Sequence, residues 1–200
     1  MRFARLLLFP SLLAILTSPL AAQGPWAIAV ELGSVSFNGH ASSTATTPET
    51  TGHPSPTRTW GVRISRTGES VGFSLGIVVA STGVQFESEE TAVEARNILG
   101  LVEVSPQVAI VILKPREASL RLHLGAVLDH WSPDGDNART ALGALGALSL
   151  DLPFSSRFGA EVRWETTLTG SVFEADELPS EFSRKNGWSE RWVLGLKYRL

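Results

Sequence analysis

The last ten residues, Arg191-Trp-Val-Leu-Gly-Leu-Lys-Tyr-Arg-Leu200, alternate with a period of two and leave few choices of structure. Trp192, Leu194, Leu196, Tyr198 and Leu200 take every second position, with Arg191, Val193, Gly195, Lys197 and Arg199 between them. Successive side chains of a strand point to opposite faces, so this segment is a strand with one apolar and one largely polar face. In a water-soluble sheet the apolar face covers a core. In a membrane-spanning barrel it faces lipid, and the polar face lines the lumen. The segment alone fits both, a soluble lipocalin-like barrel included.

The N-terminus bears on that choice. Arg2 and Arg5 precede an apolar run from Leu6 to Leu16, broken by Pro10, and Pro19-Leu-Ala-Ala22 forms a small-residue cleavage site before Gln23. Residues 1–22 therefore read as a cleaved secretory signal, too short to cross a bilayer as a helix. Residues 23–200 suit one domain. No later run approaches the roughly 18 consecutive apolar residues of a membrane helix. An exported chain that spans a membrane without such helices must close into a barrel, because lipid satisfies no backbone polar group. The whole chain has 17 basic and 20 acidic residues, and removing Arg2 and Arg5 leaves 15 − 20 = −5, with no basic patch suited to nucleic acid. Cysteine is absent, which excludes disulfides and thiolate metal sites.

Eight stretches carry the period of two: Trp26 to Phe37, Thr59 to Arg66, Val71 to Ser81, Arg96 to Leu113, Ser119 to Trp131, Arg139 to Asp151, Arg157 to Val172 and Arg191 to Leu200. Their connections, 38–58, 67–70, 82–95, 114–117, 132–138, 152–156 and 173–190, alternate between longer and shorter. Short turns on one side and long loops on the other are the arrangement of transmembrane barrels, and an even strand number returns both termini to the short-turn side. The predicted fold is all-β, an eight-stranded antiparallel up-and-down transmembrane β-barrel. Aromatic girdles are expected from Trp26, Phe73, Phe158 and Tyr198 at the short-turn end and from Trp60 and Trp192 at the other. Phe37, Trp131 and Phe173 stand out of phase with the apolar face, which predicts bulges or loop positions for them.

The exported N-terminus, the eight alternating strands and the terminal Trp192-x-Leu-x-Leu-x-Tyr-x-Leu200 resemble the small outer-membrane β-barrel proteins, the OmpX-like and OmpA-barrel-like group. The resemblance covers residues 23–200. It implies residence in a bacterial outer membrane after export through the inner membrane, among outer-membrane lipid and lipopolysaccharide. It also implies recognition of strand 191–200 by the barrel-assembly machinery; that strand usually ends in Phe, where this chain has Leu200. The implied role is non-enzymatic, structural or surface-interacting, with no cofactor and an unknown surface ligand. A narrow porin-like passive channel is an alternative.

The opposite phase collects Glu31, Arg63, Glu103, Arg121, Glu161, Arg163, Glu165, Lys197 and Arg199, with Ser65, Ser74, Gln107, His123 and Asp129. An eight-stranded barrel is just wide enough for side chains to fill it, and lone charges in so narrow a lumen are costly. The expectation is a charge-paired plug, with Glu161 or Glu31 meeting Lys197 or Arg199 on adjoining strands. Gly72, Gly76, Gly125, Gly143 and Gly159 on this face would loosen the packing if they fell at one height.

The four longer connections hold twelve acidic and three basic residues, a net of −9. Such loops suit a basic partner, or divalent cations bridging to lipopolysaccharide phosphates. Glu87, Glu89 and Glu90, with Glu94, form the densest cluster but lack the spacing of an EF-hand. Loop 38–58 is rich in Ser, Thr and Pro and is expected to be unstructured. Its His40 and His53 are too distant in sequence to presume a metal site. His130-Trp-Ser132 puts a histidine and a serine on one face of a strand, the core of acyl-transfer chemistry. The pair resembles that of the outer-membrane lipid A deacylases, in which an acidic residue orients the histidine. Here Pro133-Asp-Gly follows in place of that family's Ser-Asn, so the third member would have to be Asp134 or Asp136.

Overall fold

The computed structural model describes residues 26–43, 50–87, 92–115, 118–133, 138–173, 178 and 180–200. The signal segment 1–22 lies outside them, as do Glu89, Glu90, Asp134 and Asp136. All regular structure among the described residues is strand: β1 (Trp26–Ser43), β2 (Thr50–Pro54), β3 (Thr57–Arg66), β4 (Val71–Glu87), β5 (Ala92–Leu113), β6 (Ser119–Pro133), β7 (Arg139–Pro153), β8 (Phe158–Thr169) and β9 (Phe182–Arg199). Each neighbouring pair is antiparallel, and β1 pairs with β9 from Ala27↔Arg199 to Ser43↔Phe182, which closes the sheet. β2 and β3 are two halves of one wall strand, interrupted at Ser55 and Pro56, where proline cannot donate to the ladder. The wall therefore has eight staves, and among the described residues no helix is long and apolar enough to cross a membrane.

Several expected loops are largely strand. Residues 38–43, 50–54 and 57–58 of the segment read as unstructured extend the wall, β4 runs on to Glu87, and β9 starts at Phe182. Ladder pairing explains this. Ala41 to Ser43 face both β2 and β9, so their backbone groups are satisfied despite a Ser/Thr/Pro composition poor in strand signal.

The two faces are sorted by phase. Outward side chains include Trp26, Val30, Leu32, Phe73 and Leu75, with Trp60 60% and Leu194 65% exposed. Inward ones include Glu31, Arg63, Glu103, Glu161 and Glu165, with Arg163 and Glu165 only 1% exposed. On β5 the apolar outward positions run from Val102 to Ile112, about 25 Å along the barrel axis at ~3.3 Å per residue and about 40° of tilt. That is the height of a barrel's lipid-facing band. The soluble lipocalin-like alternative needs the reverse sorting, and the structure overturns it.

Towards the long-loop end the sorting inverts. On β1, Glu31 points in and Leu32 out, but six residues further Phe37 points in while Ser36 and Asn38 flank it outside. On β6, Arg121 and His123 point in beside outward Leu122 and Leu124, whereas Trp131 points in between outward His130 and Ser132. On six of the staves a polar residue or glycine follows the apolar band on the outward phase, at Ser34, Arg58, Ser81, Gly100, His130 and Thr140, while on β8 and β9 exposed Leu168 and Trp188 continue the apolar face beyond Thr166 and Glu190. Phe37 and Trp131 thus occupy regular lumen positions, correcting the expectation of bulges or loops for them. They belong to a second, apolar core inside the barrel, built on top of the lipid-facing band, with an exterior of mixed polarity that includes exposed Ile98, Leu168 and Trp188.

One irregularity lies within the band. Pro106 sits in mid-strand on β5, and the β5–β6 ladder skips from Val104↔Leu128 to Gln107↔Gly125. Gly125 allows the strands to close there, since a Cβ on it would stand 2.3 Å from the Pro106 carbonyl oxygen. A shallow apolar depression of about 480 Å³ lies over the break, lined by Phe73, Leu75, Pro106, Val108 and Leu124 among others.

Candidate functional site

The lumen is filled, and its two halves are filled by different chemistry. The half within the lipid-facing band holds a connected set of charges. Arg63 grips Glu31 in a two-pronged contact, Nε to Oε1 at 2.6 Å and Nη2 to Oε2 at 3.2 Å. Arg163 donates from Nε to Glu161 at 2.7 Å and lies 3.6 Å from Glu31 and 3.8 Å from Glu165. Arg191 binds both oxygens of Glu103, at 2.5 and 3.1 Å, and also contacts Glu165. Lys197 reaches Glu161 at 2.6 Å and meets Asp151, which lies 2.8 Å from Arg121.

This set contains Glu31, Glu103, Asp151, Glu161 and Glu165 against Arg63, Arg121, Arg163, Arg191 and Lys197, five acids and five bases. Their charges cancel, as a poorly hydrated interior requires. Planar guanidinium forks suit the task because each meets two carboxylates at once. Gly76 makes room for one of them: a Cβ there would come within 2.7 Å of the Arg63 guanidinium. The space left by that lumen glycine is thus taken by an arginine. His123 donates to or accepts from Ser149 at 2.8 Å in the same layer. The remaining space among Arg63, Arg121, Asp151, Glu161 and Lys197 is about 20 Å³, room for about one water.

Arg199 corrects the sequence reading: it is exposed at the rim near the chain terminus and forms no ion pair among the described residues. Arg191 and Asp151 are the members that sequence reasoning left out of the network. The signal was available, since Arg191 shares the phase of Lys197 and Asp151 that of Ser149.

The half beyond the border is an apolar core of Val35, Phe37, Leu99, Leu101, Trp131 and Val172 with Ala41, Val84, Phe173 and Leu178. Phe37 and Trp131 meet edge to face at 5.6 Å, and Phe86 stacks on Phe173 at 6.1 Å. Val172 and Phe173 belong to the short segment that follows β8 and are buried in this core.

His40 holds that segment. Gly39 and His40 both have left-handed backbones, φ 77° and 79°, and the β1–β9 register shifts between Gly39 and Ala41. A positive φ is costly for histidine, so the surrounding contacts must impose it. The bulge turns the ring inward, where its Nδ1 accepts the Val172 backbone N–H at 3.1 Å and its carbonyl accepts the Ser171 hydroxyl at 2.8 Å. Arg139 adds a bond to the Val172 carbonyl at 2.5 Å. Burial, with His53 nearby, lowers the His40 pKa to about 4, so the ring is neutral and free to accept. The structure thus brings two histidines of loop 38–58 into one neighbourhood, but no group of three metal-ligating side chains occurs among the described residues. Glu87 lies 3.6 Å from His53 Nε2.

His130 and Ser132 both point outward, as their spacing predicts. The His130 ring bonds Thr140 Oγ1 through Nδ1 at 3.1 Å, the nitrogen that a triad would present to its acidic member.

No family model and no curated protein matches the sequence. Solved structures do match in shape. Neisserial surface protein A aligns with a TM-score of 0.60 at 10% identity, over 88% of this chain and 97% of that one. The outer membrane protein OprG of Pseudomonas aeruginosa aligns with a TM-score of 0.54 at 10% identity, over 89% and 96%. At such identity the likeness concerns architecture, and the architecture is that of the small eight-stranded outer-membrane β-barrels.

Proposed function

We propose that this chain is an integral protein of a bacterial outer membrane, exported by its first 22 residues, whose work is done by its outer wall and external loops. The observation that carries the reading is the sorting of faces: a closed eight-stave wall with an apolar band outside and a neutral charge network inside. In water that exterior would be an aggregation surface, whereas lipid makes it the stable arrangement. The names of the two structural relatives, a surface protein and an outer membrane protein, support the same setting. The acidic loops, net −9 over the four longer connections, would face the exterior and suit a basic or cation-bridged partner.

The geometry favours a non-enzymatic, non-conducting barrel over its rivals. A passive channel requires continuous water, and this lumen is blocked by ion pairs in one half and by Phe37, Trp131 and Phe173 in the other. A triad requires an acidic residue to orient the histidine through Nδ1, and His130 Nδ1 is bonded to the Thr140 hydroxyl. The test is to express the full chain, isolate outer membranes, and compare gel mobility with and without boiling. A membrane-resident species whose mobility changes on heating, with no conductance in planar bilayers, supports the proposal. Soluble periplasmic protein contradicts it.

A further inference from the structure

A groove of about 620 Å³ crosses the border between the apolar band and the polar rim on the outer wall of β3 to β6. Below the border it is floored by Trp60, Val79 and Val102, all exposed apolar side chains. Above it stand Arg58, Ser81 and Ser132, also exposed, with Gly100 between the serines. The ladder sets this order, because Ser81 pairs with Gly100 and Gly100 with Ser132. Gly100 makes the hollow: a Cβ added there would meet only Ser132 atoms at 3.6 Å or more, so the space in front of it is open.

The polarity of the groove specifies its occupant. Hydrocarbon below, hydroxyls and one guanidinium above, on two adjoining rows of the ladder, match a lipid whose headgroup carries a phosphate. Arg58 is the one permanent cation among the described outward residues at the border on these four strands, and it forms no ion pair there. A guanidinium recognises phosphate by paired N–H donors and stays charged at any physiological pH. Its setting on an otherwise acidic loop side makes it the local attractor for an anion. Two serine hydroxyls beside it suit a phosphorylated sugar better than a bare glycerol phosphate, since a sugar offers several hydroxyls to each side of the phosphate.

We infer that this groove is a binding site for the phosphorylated, multiply acylated glycolipid of the outer leaflet, with phosphate on Arg58, sugar on Ser81 and Ser132, and an acyl chain along Trp60, Val79 and Val102. The inference rests on the membrane reading above and adds to it a defined lipid contact on one side of the wall. Ser132 acts here as a hydrogen-bonding residue.

Native mass spectrometry of the detergent-purified full chain, titrated with diphosphoryl lipid A, tests it. One lipid is expected to be retained at least tenfold more tightly than lipid A stripped of its phosphates, and than phosphatidylglycerol. Arg58→Gln removes the phosphate contact and Gly100→Phe fills the hollow, and each is expected to weaken binding at least tenfold. Arg66→Gln, at the opposite rim, is expected to leave it unchanged. Equal binding of the dephosphorylated lipid, equal binding of phosphatidylglycerol, or wild-type binding by Arg58→Gln would overturn the site. Each variant is checked for the heat-shifted band, so that loss of folding is not read as loss of lipid. A wild-type chain lacking that band would overturn the membrane reading and this site together, whereas a heat-shifted barrel failing the lipid arms overturns the site alone.

Discussion

The two halves of the barrel interior are built on one alternating phase but in opposite solvents. Within the lipid-facing band Glu31, Arg63, Arg163 and Arg191 point in, and Leu32, Ile64, Val162 and Trp192 point out. Beyond the border Phe37, Leu99 and Trp131 point in, and Asn38, His130 and Ser132 point out. The backbone pattern does not change; the surroundings do. A barrel in lipid places its polar groups in the lumen, where they must neutralise one another, and a barrel in water buries its apolar groups there. The level at which the polarity flips on β1 and β6 therefore marks the upper edge of the apolar band on those strands.

If the charged half is held by mutual pairing, removing one cation should do more harm than any comparable change elsewhere. Arg191→Met leaves Glu103 and Glu165 without their main partner and is expected to cost about 3–5 kcal/mol in urea unfolding of the micelle-refolded barrel. A triple replacement that also makes Glu103 and Glu165 neutral should recover most of that loss, because the penalty lies in unpartnered charge. If the far half is an ordinary core, Trp131→Ala should cost about 3 kcal/mol by cavity formation, with no dependence on salt. Unfolding titrations at low and high ionic strength check both.

Acid should separate the halves differently. His40 lies beyond the border, and its folded pKa of about 4 stands below its ordinary 6.5. The unfolded chain then binds the extra proton first as pH falls. The stabilising contribution is complete above about pH 6.5 and is lost progressively down to about pH 4. The loss amounts to about 3 kcal/mol at most, and it reflects the cost of charging a buried imidazole beside His53. His53 lies near His40 and Glu87 lies 3.6 Å from His53, so the informative quantity is the difference between wild type and His40→Asn. Asparagine tolerates the left-handed backbone and does not titrate, and its stability curve should be flatter across that range. The smallest effect belongs to the rim: Arg199→Ala should change stability by less than about 0.5 kcal/mol, because nothing in the lumen depends on it.

The wall was legible in the sequence because its strands alternate over most of their length, despite inward apolar residues such as Val127, Leu145 and Val193. Residues 71–79 and 191–200 could be placed on their faces from the period alone, and the members of the charge network follow from it. The partners within the network were not legible, because long side chains reach across the lumen: Arg191 on β9 binds Glu103 on β5, two strands that are not neighbours in the wall. The far half was misread for a physical reason. Apolar residues on the lumen phase look like phase errors if every strand is assumed to stand in lipid along its whole length, and Phe37 and Trp131 stand above it. Loop 38–58 hid its strands because Ser, Thr and Pro carry little hydrophobic signal, and the His40 bulge is fixed by Gly187 and Val172, more than 130 residues away.

The sorting of faces can be measured residue by residue. The chain has no cysteine, so single cysteines at positions 193, 194, 195 and 196 can carry spin labels without background. In reconstituted bilayers, labels at 194 and 196 should be accessible to oxygen dissolved in lipid, and labels at 193 and 195 should be shielded from oxygen and from aqueous nickel complexes alike. Reversed alternation, or nickel access at 194 and 196, would contradict a lipid-facing barrel with a filled lumen.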